Sequence, residues 1–150
     1  MFTPKKIKDQ FKNWNVLVVD DEPDSLEVAS RWLRLAGANV ITARNGQKGL
    51  EAANEYIPKF ILADLTMPVM DGWEMLYELK HSPMTKHIPV IALTAHALAG
   101  IKAQTLQAGF VDHIAKPLNP HKFVEQVVGI VGQVPELAEL LPISEYPGGF

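Results

Sequence analysis

Apolar residues along the chain fall into five short runs, separated by longer stretches in which they recur at helical spacing. The runs are Val16-Leu17-Val18-Val19, Val40-Ile41-Thr42-Ala43, Phe60-Ile61-Leu62-Ala63, Val90-Ile91-Ala92-Leu93, and Phe110-Val111 with Ile114. They are mostly continuous and rich in β-branched residues, the pattern of strands covered on both faces. Between Ser25 and Leu35, Leu26, Ala29 and Leu33 mark one helical face, and Gly37 is a natural stop. Asn45 can cap a second helix running to about Asn54, and Asp71-Gly72 opens a third that ends before Pro83. The spacing predicts a fourth from about Leu98 to Gln107, stopped by Gly109. The last takes Pro120 in its first turn and carries Phe123, Val124, Val127, Val128 and Val131 on one side. Five alternations of strand and helix predict a doubly wound α/β domain with a five-stranded parallel sheet. Right-handed crossovers then place helices on both faces.

The flanks differ from this body. Residues 1–14 form a basic lead, with Lys5, Lys6, Lys8 and Lys12 against Asp9 alone. Residues 134–150 form an acidic, proline-containing tail without Lys or Arg. The domain proper is read as 15–133. The lead is expected to be a solvated flank, with a docking patch for an acidic partner as the other reading. In the tail, Leu137, Leu140, Leu141 and Ile143 can form a short turn that packs on the domain or on a partner. Fourteen basic against seventeen acidic residues make a net charge of −3, which argues against a general polycation for nucleic acid. The absence of cysteine excludes thiolate catalysis and cysteine metal sites. No apolar run reaches the ~18–20 residues of a membrane span, and no apolar stretch follows the N-terminal lysines as in a secretory signal. A cytoplasmic protein is the expectation.

In an open α/β sheet, chemistry collects beyond the C-terminal ends of the strands. The first strand ends in Asp20-Asp21 with Glu22 next, the third in Asp64, the fourth in Thr94, and the fifth leads to Lys116-Pro117. Each has an ordinary explanation alone: Asp20 or Asp21 can cap the next helix, and Lys116 can be a solvated loop lysine. Together they are hard to dismiss. Clustered carboxylates repel one another unless a cation sits among them, and Mg²⁺ with oxygen ligands resolves that repulsion. The five histidines show no zinc-ligand spacing. A hydroxyl donor and a lysine beside such a cation suit phosphoryl transfer onto or off a carboxylate.

From about Asn15 to Gln133 the chain resembles the receiver domain of two-component response regulators. The matching pieces are Asp20-Asp21, Asp64 followed by Met67-Pro68-Val69-Met70-Asp71-Gly72, Thr94-Ala95, and Lys116-Pro117. The resemblance implies a flavodoxin-like fold with strand order 2-1-3-4-5. It implies that Asp64 is the phosphoacceptor, attacking a phosphohistidine on a histidine kinase or phosphotransfer protein. Asp21 and Asp64 would ligate Mg²⁺ directly, Asp20 through water, and Thr66 through its backbone carbonyl. Thr94 would bond the phosphoryl oxygens, small Ala95 would keep access open, and Lys116 would pair with Asp64 and then with the phosphate. Pro117, after a cis bond, would shape the last loop.

One position departs from the pattern: His113 stands where the family usually has Tyr or Phe three residues before the lysine. A smaller, titratable ring there implies an altered switch, unless His113 is only a surface residue of the last strand. Thr66 and His96 flank the phosphoryl position, and neither is a carboxamide or carboxylate that would orient water, so slow autodephosphorylation is expected. By resemblance, Ile101, Lys102, Thr105 and His121 are candidates for an output face that contacts a downstream protein. The tail is too short for a DNA-binding module, so the expectation is either a single-domain regulator acting through protein contacts or a receiver cut from a larger polypeptide, and a monomer or weak dimer. The alternative is a receiver-like binding module that works without phosphate.

Overall fold

The computed structural model describes residues 7–95 and 100–142. Five parallel strands form one sheet: β1 (Asn15–Val19), β2 (Asn39–Ala43), β3 (Phe60–Asp64), β4 (Val90–Thr94) and β5 (Asp112–Ala115), in the order β2-β1-β3-β4-β5. All five residues of β3 and of β4 are buried, which is why these runs are continuous rather than alternating. Among the described residues there are six helices, in chain order α1 (Pro23–Leu35), α2 (Gly46–Tyr56), α3 (Gly72–Lys80), α4 (Ile101–Ala108), α5 (Phe123–Val131) and the short α6 (Pro135–Ala138).

The sheet divides the interior in two. Val16, Val18, Phe60, Leu62, Ile91 and Leu93 point to one side, where they meet Ala29 and Leu33 of α1 and Val124, Val127 and Val128 of α5. Leu17, Val19, Ile61, Ala63, Val90 and Ala92 point to the other, against Ala53 of α2 and Met75, Leu76 and Leu79 of α3. This alternation of neighbours along each strand follows from the two-residue period of a pleated chain. Asn45 caps α2 by accepting from the Lys48 N–H, and Asp71 and Glu74 form a reciprocal capping box on α3.

Two boundaries differ from expectation. Strand β5 starts at Asp112, not Phe110, because the Phe110 N–H donates back to Thr105 C=O of α4 at 3.0 Å, and its ring packs edge-on to Trp73 of α3 with centroids 5.5 Å apart. Helix α5 starts at Phe123, so Pro120 lies in the turn before it and not in its first turn. Leu98, the expected start of the fourth helix, lies outside the described residues.

The reading of the basic lead as a solvated flank fails from residue 7 onward. Ile7, Phe11 and Trp14 are buried in the core, and the rings of Phe11, Trp14 and Phe60 pack mutually at 5.2–6.2 Å. Backbone bonds tie the segment down: Phe11 N–H donates to Ala36 C=O at 2.8 Å, and Asn39 N–H donates to Trp14 C=O at 2.7 Å. Gly37 makes the close approach possible, since a Cβ there would sit 2.9 Å from Lys12 Cα, and its φ is +96°. Lys8 and Lys12 remain exposed, and Lys5 and Lys6 lie outside the described residues. In the tail, Leu137 and Leu141 join the same core while Leu140 stays half exposed; Ile143 lies outside the described residues.

Candidate functional site

The site is built where strands β1, β3 and β4 stop at one level. Register places Val19 beside both Ala43 and Ala63, and Asp64 beside Leu93. Asp20 N–H still donates to Ala43 C=O at 3.0 Å, so Asp20 is held by the sheet, and its side chain is fully buried. Asp64 closes β3 and is also buried. One carboxylate oxygen from each of Asp20, Asp21 and Asp64 lies within 4.8 Å of the others.

Lys116 reaches this cluster from the end of β5. Its N–H donates to Thr94 C=O at 2.8 Å, and the Lys116–Pro117 bond is cis. The ammonium donates to Asp64 Oδ2 at 3.0 Å and to Asp20 Oδ1 at 3.2 Å, and it also contacts Glu22 Oε1. Only 5% of the Lys116 side chain is exposed, so its pairs with Asp20 and Asp64 are shielded from water, while Glu22 reaches it from the solvent side.

Four carboxylates around one ammonium leave excess negative charge. Burial pushes the Asp20 carboxyl up to about 6; hydrogen bonds from the Glu22 N–H and Lys116 oppose this, and the Asp64 charge adds to it. Burial pulls the Lys116 ammonium down. Its hydrogen bonds to Glu22, Asp64 and Asp20 outweigh that and hold it well above the ordinary lysine value. Asp20 Oδ2 is buried and accepts no hydrogen bond, although the ammonium lies 3.1 Å away. An all-oxygen donor set with surplus negative charge and an orphaned buried oxygen fits a hard divalent cation such as Mg²⁺.

The loop after Asp64 is tied closely to it. Thr66 N–H donates to Asp64 Oδ1 at 3.2 Å. Met70 N–H donates to Pro68 C=O at 2.8 Å, closing a γ-turn around Val69, whose φ is +70°. A left-handed β-branched residue is strained, and this one is 80% exposed. Gly72 then passes under the phosphoacceptor candidate: a Cβ there would lie 2.3 Å from the Asp64 carbonyl oxygen.

The remaining predicted positions fall as follows. Thr94 is buried at the end of β4, with Ala95 exposed beside it, and Pro117 and Thr66 are exposed at the rim. His113 lies on β5 opposite Ala92 and is partly buried; its Nδ1 is buried without a hydrogen bond, 3.6 Å from Asp112 Oδ1. His96 lies outside the described residues. Of the output-face candidates, Lys102 and His121 are exposed and Ile101 is partly buried. Thr105 is corrected: it is fully buried on the inner side of α4, and its hydroxyl donates to Lys102 C=O at 2.9 Å, so it cannot present itself to a partner. Glu22 was not among the predicted site residues. The signal for it was only a third acid after Asp20-Asp21.

A family profile described as the response regulator receiver domain matches residues 16–128. The chain belongs to this family. Among curated relatives, the receiver is 32% identical over 118 residues to the polar-differentiation response regulator DivK of Brucella anthropi, covering 79% of this chain and 96% of that one. Among solved structures it is similar to the chemotaxis response regulator CheY4 of Vibrio cholerae, with TM-score 0.74 and 28% identity over 79% and 99% of the two chains. It is also similar to the receiver domain of a Pseudomonas aeruginosa sensor histidine kinase that has a magnesium ion coordinated in its active site cleft. That match has TM-score 0.68 and 31% identity over 78% and 98% of the chains. No helix among the described residues of the receiver is long and apolar enough to cross a membrane.

Proposed function

We propose that this two-component receiver takes a phosphoryl group onto Asp64 from a phosphohistidine on a histidine kinase or phosphotransfer protein, and signals through protein contacts. The observation that carries the reading is the buried pair of Asp64 and Lys116, joined at 3.0 Å inside the carboxylate cluster. Asp20, Asp21 and Asp64, with the Thr66 carbonyl at the rim, would hold Mg²⁺. A bound Mg²⁺ supplies charge neutralisation for the phosphoryl oxygens.

The chain's own groups account for the rest. An Asp64 carboxylate oxygen attacks phosphorus, the P–N bond of the phosphohistidine breaks, and the imidazole leaves with the bond's electron pair and takes a proton. The product is an acyl phosphate. Lys116 is placed to follow the charge from the carboxylate to the phosphoryl oxygens, and Thr94 stands at the next strand end as a hydroxyl donor. Catalysis of this kind works by positioning and electrostatics rather than by a strong base.

The test is incubation with acetyl phosphate and Mg²⁺, followed by intact mass. The expected result is a hydroxylamine-labile gain of one phosphoryl group that is absent in Asp64→Asn. No gain in the parent chain refutes the proposal and leaves the phosphate-independent binding module in its place.

A further inference from the structure

Lysine has three N–H donors, and in this receiver all three directions end on carboxylates: Asp20, Glu22 and Asp64. Two of these acceptors are fixed. Asp20 and Asp64 are buried and anchored by their strands, with side chains 0% and 6% exposed. The third is not, since the Glu22 side chain is 59% exposed. Its backbone is pinned by donation of its N–H to Asp20 Oδ1 at 2.9 Å, which leaves the side chain alone to move.

Glu22 also occupies the N-cap position of α1, where a short polar side chain would ordinarily bond the first turn. Its side chain makes no capping bond and is turned to Lys116 instead. A phosphoryl group arriving on Asp64 needs a donor from Lys116, so one carboxylate must let go. Only Glu22 can swing into water without leaving an unpaired buried charge.

We propose that Glu22 is a positioning residue that occupies the third donor of Lys116 before phosphorylation and is displaced when the phosphoryl group arrives, so that it slows phosphoryl uptake. The rate effect rests on the reading of Asp64 as phosphoacceptor; the contact itself does not. Exchange of an exposed ion pair is a small effect, so Glu22→Gln should take up phosphate from acetyl phosphate roughly two- to fivefold faster than the parent. Because Glu22 lies outside the three-carboxylate set, Glu22→Gln keeps the direct Mg²⁺ ligands, and the uptake rates are compared at saturating Mg²⁺. Glu22→Asp keeps the charge but shortens the reach, and should be accelerated like Glu22→Gln.

The experiment combines a time course of acyl phosphate formation with the lysine ammonium ¹H–¹⁵N spectrum of the metal-free, unphosphorylated protein. The Lys116 ammonium signal should shift in Glu22→Gln, and the other lysine signals should not. Equal uptake rates in parent and Glu22→Gln, a Glu22→Asp rate equal to the parent's, or an unmoved Lys116 signal overturns the inference. Failure of the parent and the variants alike to take up any phosphoryl group overturns the phosphoacceptor reading and the rate effect with it. The ammonium spectrum, recorded without phosphate, still decides the contact.

Discussion

The buried Asp20 carboxylate makes a strong prediction about pH. Its value is raised from 3.8 to about 6, chiefly by burial, so the folded protein binds this proton more tightly than the unfolded chain does. The stabilising contribution is therefore present below pH 4 and is lost as pH rises through 6. A shift of this size corresponds to about 3 kcal/mol between the two ends of that window. Asp20→Asn removes the titrating group while nearly preserving its shape. Urea unfolding of both proteins in EDTA, at intervals from pH 4 to pH 7.5, reads the contribution of Asp20 together with its coupling to Asp64 and Lys116. Relative to the parent, Asp20→Asn should gain about 2 kcal/mol between pH 4 and pH 7.5, because the unfolded carboxyl is already more than half ionised at pH 4. Added Mg²⁺ should then stabilise the parent at neutral pH and leave the variant little changed. Parallel stability curves for the two proteins would refute the argument that Asp20 is a strained, ionisable member of the cluster.

Three further outcomes are expected. Gly72→Ala places a Cβ 2.3 Å from the Asp64 carbonyl oxygen, which should cost about 1–3 kcal/mol in urea unfolding and slow acyl phosphate formation. Phe11→Ala removes a fully buried ring from the aromatic trio and should destabilise by about 3–5 kcal/mol, whereas a truly solvated flank would show no change. His113→Phe eliminates a buried ring nitrogen that has no hydrogen bond, and should raise stability by roughly 1 kcal/mol; a fall in the urea midpoint would show that the site is shaped for the smaller ring.

Much of the architecture can be read from apolar runs, because β3 and β4 are buried along their whole length and tolerate only residues such as Phe60-Ile61-Leu62-Ala63. The edge strand is less legible. Asp112 and His113 belong to β5 yet are polar, since among the described residues that strand pairs only with β4 and both side chains stay partly exposed. The lysines of the lead mask its buried face. Ile7, Phe11 and Trp14 stand at i, i+4 and i+7, a helical-face spacing that outweighs the charges between them.

The convergence of these side chains is legible because an open α/β sheet collects polar groups beyond its strand ends, and Asp20, Asp21, Asp64 and Lys116 do meet there. Side-chain direction is not. Glu22 looks like any acid at a helix start, and nothing local reveals that it turns to a lysine 94 residues away. Thr105 failed for the same reason: the weak amphipathicity of α4 does not say which of its faces is turned inward.

The division of the interior by the sheet has a consequence for how a chemical event is heard. Leucines and valines on opposite sides of one strand share a backbone but belong to separate packed clusters, so the helices above and below meet through the strands rather than through side chains. Substitutions on the two sides, such as Leu62→Ala and Ile61→Ala, differ in the partners they disturb. The rim formed by Asp20, Asp64, Thr94 and Lys116 is where both audiences meet, since its residues are continuous with strands that feed each side. A change in charge at that rim therefore falls on strand ends whose side chains pack into both layers.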